Sequence, residues 1–241
     1  MKLLILSHKR ADRVKTNKVF PSAAIVVPET QGDEYRRHNP HTEIITHPDD
    51  VVGLSPKRQW CYAHYGDQIQ LDDDCIGVTR LYRARGQGAV KLRPEEAEGL
   101  MHDLYHIAKQ AGAKLFGLNC VSNPMHFAGD RPVAFNKFIT GGCLGLIQDE
   151  NLYFPDIPYF VGEDVWINLL NAHFNRFSYI DMRFTISFED TEYNQGGCAD
   201  YRTEQRRKET YEILKKAFGE GVQLKQGQQY NKWEKAINIP Y

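Results

Sequence analysis

From Leu3 to Asp74, short and wholly apolar runs take turns with a helical pattern, and that alternation leaves few folds open to the chain. Leu3 to Leu6 and Ala23 to Val27 contain no polar residue, and they give way to His8-Lys9-Arg10 and to Pro28-Glu29-Thr30. Runs this short and apolar predict strands buried on both faces. Glu43 to Thr46 predicts a third strand, closed by His47-Pro48-Asp49-Asp50. Ser55-Pro56 offers an N-cap and a first-turn proline to a helix over Lys57 to Tyr65, which Gly66 ends. Gln68 to Leu71 then runs as a strand into Asp72-Asp73-Asp74. Strands alternating with helices call for crossover connections, so the expected fold is an α/β layered domain with a largely parallel sheet.

The later chain continues the pattern with a different texture. Ile76 to Tyr82 and Ala89 to Arg93 flank Arg85-Gly86-Gln87-Gly88 and predict a hairpin. Pro94-Glu95-Glu96 opens a helix reaching Ala111 and stopping at Gly112. Lys114 to Val121 predicts a strand, Phe135 to Ile147 a strand pair broken at Gly141-Gly142, Gly162 to Phe174 a helix, Phe184 to Phe188 a strand and Asp200 to Phe218 a charged helix. No repeat or linker composition divides the 241 residues, so one domain is expected, with a core to about residue 190 and a mobile C-terminal end over 191–241.

Charge bears on partners. Thirty Lys and Arg face 31 Asp and Glu, a net charge of -1, which excludes a uniformly basic nucleic-acid coat. Any charged partner must be met by a local patch. No apolar run approaches the roughly 18 residues a membrane span needs, so a soluble, cytoplasmic protein without membrane or obligate protein partner is expected. The five cysteines form no C-x-x-C pair, which predicts reduced, mostly buried thiols. His102 and His106 stand at i and i+4 as in a zinc protease helix, but Asp103 replaces the usual Glu and no third ligand follows.

Two acidic groups carry candidate chemistry. Asp72-Asp73-Asp74 lies at the carboxyl end of an apolar strand, where open α/β sheets bind ligands. Clustered carboxylates repel one another unless a cation intervenes, and oxygen ligands suit Mg²⁺ or Mn²⁺ completed by substrate phosphates. Asp72 and Asp74 are the expected ligands if Asp73 points to the other side of an extended backbone. A solvated acidic turn is the plainer alternative. Gly162-Glu163-Asp164 opens a helix, where acids also serve as ordinary dipole-favoured caps. Beside a bound diphosphate, such a carboxylate could act as general base toward an incoming hydroxyl. Gly141-Gly142, some twenty residues upstream, would let a backbone approach a ligand closely.

Taken in order, the strand ending in basic residues, the Lys57-Arg58 helix, the strand into Asp72-Asp73-Asp74, Gly141-Gly142 and Gly162-Glu163-Asp164 resemble a GT-A glycosyltransferase over about residues 1 to 190. The resemblance implies a Rossmann-like sheet and a nucleotide-sugar donor bound through a divalent metal, Mn²⁺ or Mg²⁺. It makes Asp72 and Asp74 metal residues, Asp164 the base with Glu163 assisting, and Lys9, Arg10, Arg58, Asp73, Gly141 and Gly142 donor-binding residues. The Lys57-Arg58-Gln59-Trp60 helix and the tail from Asn194 to Arg202 further resemble the phage-type TET/JBP-associated glycosyltransferases. Those implicate a UDP-sugar donor and a hydroxymethylated pyrimidine in DNA as acceptor. The absence of a His-containing C-terminal metal motif leans toward an inverting reaction.

A DNA acceptor needs basic surface, because phosphates are met by Lys, Arg and backbone N–H groups. Thr79 to Arg93 supplies Arg80, Arg83, Arg85, Lys91 and Arg93, with Tyr82 among them and no acid. A solvated hairpin or a clamp on the nucleotide's own phosphates fits these residues equally. The same fold acting on a saccharide, lipid or protein hydroxyl, or serving as a non-catalytic DNA-binding module, remains open at this stage.

Overall fold

A computed structural model describes residues 1–82, 87–121, 123, 127–189, 197–227 and 232–237. The first half is built as the alternation requires. Strands β1 (Lys2–Leu6), β2 (Ala24–Pro28), β3 (Ile44–His47) and β4 (Gln68–Asp72) lie parallel in the order β3-β2-β1-β4. Helix α1 (Gly32–His38) joins β2 to β3, and α2 (Leu54–Tyr65) joins β3 to β4. The sequence reading missed α1, whose seven residues bury little beyond Tyr35 and so carry almost no periodic signal. Ser55 is not the N-cap of α2: Gly53 holds that position, and the Ser55 hydroxyl donates instead to the Pro155 carbonyl at 2.6 Å.

The second half adds β5 (Cys75–Arg80), β6 (Val90–Lys91), helix α3 (Pro94–Gln110), β7 (Leu115–Asn119), β8 (Val133–Ala134), β9 (Cys143–Leu146), helix α4 (Glu163–Phe174) and β10 (Tyr179–Phe188). The sheet continues from β4 as β9-β7-β10-β5-β6, with β8 paired to β10. β7 and β10 keep the direction of the first four strands, while β9 and β5 run against it. The expected strand pair within residues 135–147 is not formed. β9 inserts between β4 and β7, and the strand before it, β8, pairs only with β10. The β5–β6 hairpin is present, with Thr79 opposite Lys91.

Strand alternation sorts the core into two layers. Leu3, Ile5, Ile25, Val27, Ile69 and Leu71 pack on the side of Tyr35 and of Met101, Leu104 and Ala108 from α3. Leu4, Leu6, Ala24 and Val26 face Cys61 of α2, and Leu144, Leu146 and Ile180 meet α4 together with Leu214 of helix α5 (Glu204–Phe218). The result is a three-layer α/β domain of Rossmann-like, GT-A type. The C-terminal end is packed rather than pendant: Leu214 is fully buried, as is Val222 in a terminal hairpin of β11 (Val222–Leu224) and β12 (Lys235–Ile237). Cys61, Cys75 and Cys143 are buried free thiols and Cys120 is an exposed one. No helix among the described residues is long and apolar enough to cross a membrane.

Candidate active site

The site forms where β1 and β4 end side by side, Leu6 opposite Asp72. Alternation along β4 places Gln68, Gln70 and Asp72 on the α2 side, and there Arg58 collects them. Its Nη1 donates to Gln70 Oε1 at 3.0 Å, and its Nη2 donates to Gly141 O at 2.9 Å and to Asp72 Oδ1 at 3.3 Å. Nε lies 3.5 Å from Glu163 Oε1. One guanidinium therefore ties together the acidic turn, the Gly-Gly loop and the start of α4. Arg58 is fully buried, so it is not a surface contact for a donor, as expected above, but a cation standing behind the carboxylates.

Asp73 and Asp74 share Arg10, while Asp72 is held by Arg58. Asp73 is buried, accepting from the Ser7 hydroxyl and from Arg10 Nη1 at 2.9 Å. Because Ser7 donates to Asp73, the Tyr35 hydroxyl donates to Ser7 Oγ at 2.7 Å, and Arg10 N closes the chain by donating to Tyr35 Oη at 2.9 Å. Burial pushes Tyr35 up to about 12, which keeps it a donor. The extended backbone ends at Asp72, and Asp74 shares Arg10 with Asp73, its Oδ2 lying 3.7 Å from Nη1. Backbone contacts fix the turn: Lys15 N donates to Asp73 O at 2.8 Å, Thr16 Oγ1 to Asp72 O at 2.6 Å and Glu189 N to Asp74 O at 3.0 Å.

Electrostatics here favour a further cation. Desolvation raises Asp72, with Asp73 and Glu163 adding repulsion against the pull of Arg58. Asp74 is pushed up to about 7 by burial, then by Asp72 and Asp73, although Arg10 opposes them. Two crowded carboxylates with raised proton affinity suit a hard divalent ion whose remaining ligands are phosphate and water. Among the described residues, no three His, Cys, Asp or Glu side chains form a ready-made cage.

Asp164 sits on the first turn of α4, accepting from Val165 N at 2.8 Å. Burial and the neighbouring Glu163 raise it to about 6, while Arg58 and the Gly141 backbone restrain the rise. Gly141 and Gly142 each have an internal reason to lack a side chain. A Cβ on Gly141 would lie 2.9 Å from Arg58 Nη2, and one on Gly142 would lie 2.5 Å from the Phe188 ring.

The sequence reading gave no site role to Lys57, His8, His47 or Lys235. Lys57, buried, donates from Nζ to Ser7 O at 2.6 Å. His8 and His47, both held down to about 4 by burial and then by Lys57, flank it. Lys235 of β12 reaches the start of α4, with Nζ 3.4 Å from Val161 O, and is lowered by burial while Asp164 draws it upward. Arg202 lies within electrostatic reach of both Asp72 and Lys235. The turn Gly197–Tyr201 seats on the first-strand loop, Gly197 N donating to His8 O at 3.2 Å. Lys9, with φ 55, donates its N–H to Gln31 Oε1 at 2.8 Å. Arg10, Arg13, Lys15, Asp73, Asp74 and Glu189 line a cavity of about 260 Å³ beside the turn.

The basic segment lies elsewhere. Although it follows Asp74 directly in sequence, β5 sits beyond β9, β7 and β10, and its Arg80 end runs away from the acidic turn. Arg93 is engaged with Glu96 of α3 at 3.3 Å, an exposed pair, and Lys91 packs its stem over Gly77. Arg83 and Arg85 lie outside the described residues. Of the aromatics near the start of α4, Phe160 and Trp166 are core residues packed edge to face, while Tyr159 is exposed beside Tyr201.

The Rossmann-like sheet, with an acidic turn at its carboxyl edge and the acid pair of α4 beside it, has the architecture of the GT-A fold. The TET-associated glycosyltransferase family profile matches residues 1–192, and the chain belongs to that family. Among curated proteins, none matches the chain.

Proposed function

We propose that the protein is a metal-dependent, inverting glycosyltransferase that moves a sugar from a nucleoside diphosphate donor, a UDP-sugar, to the hydroxyl of a hydroxymethylated pyrimidine in DNA. The observation carrying this reading is Asp164, a carboxylate raised to about 6 by burial and Glu163 and placed on a helix start that Arg58 ties to the acidic turn. A base with proton affinity near the working pH is both ionised and able to accept a proton. Asp164 takes the acceptor hydroxyl's proton as that oxygen attacks the anomeric carbon, and the sugar's bond to the diphosphate breaks on the opposite side.

Asp72 and Asp74 would hold Mn²⁺ or Mg²⁺. That ion, when bound, neutralises charge developing on the leaving diphosphate. Arg58 pairs with Asp72 and Glu163 from behind, and Arg10 with Asp73 and Asp74. Lys9 and Arg10, on the loop after β1, face the donor side.

The deciding experiment incubates hydroxymethylated DNA with a panel of nucleotide sugars and reads the nucleosides by mass spectrometry. A mass gain of one sugar on the hydroxymethyl base is expected with a UDP-sugar and Mn²⁺. No gain with any donor overturns the DNA acceptor, and transfer to a saccharide under the same conditions replaces it.

A further inference from the structure

Phe184 and Phe188 of β10 pack against the same core cluster, four residues apart. Phe188 touches the Gly142 position beside the acidic turn. At about 3.3 Å per residue, Phe184 stands about 13 Å farther along the strand. There the structure gathers a set of rings and guanidinium groups that the proposed chemistry does not use. Tyr82, 41% exposed, meets Phe184 edge-on at 5.8 Å and Phe127 at 6.4 Å. The Arg80 guanidinium lies 4.9 Å from the Tyr82 ring centre, and that of Arg183 5.7 Å from the ring of Phe184. Arg183 is itself pinned by Asp181, with Nε at 3.0 Å and Nη2 at 2.7 Å, so the stack is braced from below.

The surroundings select the occupant. Arg80 and Tyr82 belong to the acid-free stretch from Thr79 to Arg93. The nearby acids are already engaged, Asp181 with Arg183 and Glu96 with Arg93. The platform also lies on the β10–β5 half of the sheet, across the acidic turn from the β1–β3 half that carries His8, Lys9 and Lys57. Aromatic rings backed by guanidinium groups accept the flat face of any base, while positive charge meets the phosphates.

We propose that Tyr82, Phe127 and Phe184, with Arg80 and Arg183, form a stacking platform for an unpaired nucleotide of the DNA acceptor. This deepens the DNA reading of the acceptor and rests on it. A paired duplex hides its base faces, so the platform engages DNA whose bases are extruded or single-stranded. No covalent step takes place here.

The test is fluorescence anisotropy with a labelled single-stranded oligodeoxynucleotide, without donor or metal. Wild type is expected to bind, Tyr82→Ala to bind about 5- to 100-fold more weakly, and Tyr82→Phe to match wild type, because stacking needs the ring and not the hydroxyl. An abasic strand of equal length is expected to bind as weakly to wild type as the normal strand does to Tyr82→Ala. Equal affinity of wild type and Tyr82→Ala overturns the proposal. So does equal affinity of wild type for the abasic strand or for polyglutamate, since either marks a surface that reads charge alone. The measurement needs no turnover, so failure of the platform and failure of the transfer reading are separately visible.

Discussion

Arg58 Nη2 lies 3.3 Å from Asp72 Oδ1, with the guanidinium sealed from solvent and the carboxylate two-fifths exposed. The cation is fixed on the protein side and the anion faces outward.

Removing this cation should be costly. Arg58→Met leaves Asp72 and Glu163 without their shared partner and Gly141 O and Gln70 without a donor, a loss of about 3–5 kcal/mol. Arg58→Lys should recover only part, because a single ammonium cannot serve four acceptors in a planar fork. Chemical denaturation of the two variants reads the difference, and unchanged midpoints would show that the pin is dispensable.

Asp164 gives a pH signature. Its carboxyl, raised to about 6, must be ionised to act as base, so the transfer rate should climb as pH rises through about 6 and then level off. Asp164→Asn should remove that limb and lower kcat by about 10²–10⁴-fold while UDP binding by calorimetry is retained. Full transfer by the Asn variant would reassign the base.

With Asp74 raised to about 7, the proposed metal site should couple metal to protons. A divalent ion must displace that proton, so Mn²⁺ affinity should fall about tenfold for each pH unit below 7 and change little above it. Calorimetric titration with Mn²⁺ and UDP at several pH values checks this. Asp74→Asn should weaken binding and flatten the dependence.

His47 acts on stability with the opposite sign to the raised acids. Its folded value near 4 lies below the ordinary 6.5, so its contribution is present above pH 6.5 and lost as pH falls toward 4. The shift corresponds to about 3 kcal/mol at the acid end. Asp74 and Asp164, raised when folded, stabilise instead at low pH, and their contribution fades as pH rises through about 6 to 7. His47→Asn can keep the donor to Pro48 O, at 2.9 Å in the native chain, while removing the titration. Its unfolding free energy should therefore decline less between pH 6.5 and 4 than that of wild type.

Gly142→Ala tests the packing of the Gly-Gly loop. The new methyl would come within 2.5 Å of Phe188, a clash costing about 1–3 kcal/mol. Phe188→Leu in the same chain should restore part of the loss, and Tm measurements on the single and double variants should show that coupling.

The parts legible in the sequence were those whose signal is local. β1 and β2 announce themselves by apolar runs, β4 by the alternation of Ile69 and Leu71 with glutamines, and the acidic turn and the acids opening α4 by their place at element ends. What escaped depends on contacts distant in sequence. Nothing near Arg58 says that its side chain will be buried under Gly141, 83 residues away. Lys235 lies in a polar stretch without periodicity and reaches Val161 only because β12 pairs with β11. The basic segment misled by adjacency: next to Asp74 in sequence, it is carried to the far edge of the sheet by β5.

That displacement has a geometric consequence. Four strand spacings separate β4 from β5, about 19 Å in a flat sheet, yet Asp72 and Cys75 are joined by three Cα–Cα steps that can span no more than about 11 Å. The sheet cannot be flat at this edge. Its two halves must roll toward each other until the end of β10 arches over β9 and β7, where Glu189 closes on Asp74. The acidic turn is thus a short tether that bounds how flat this edge can be.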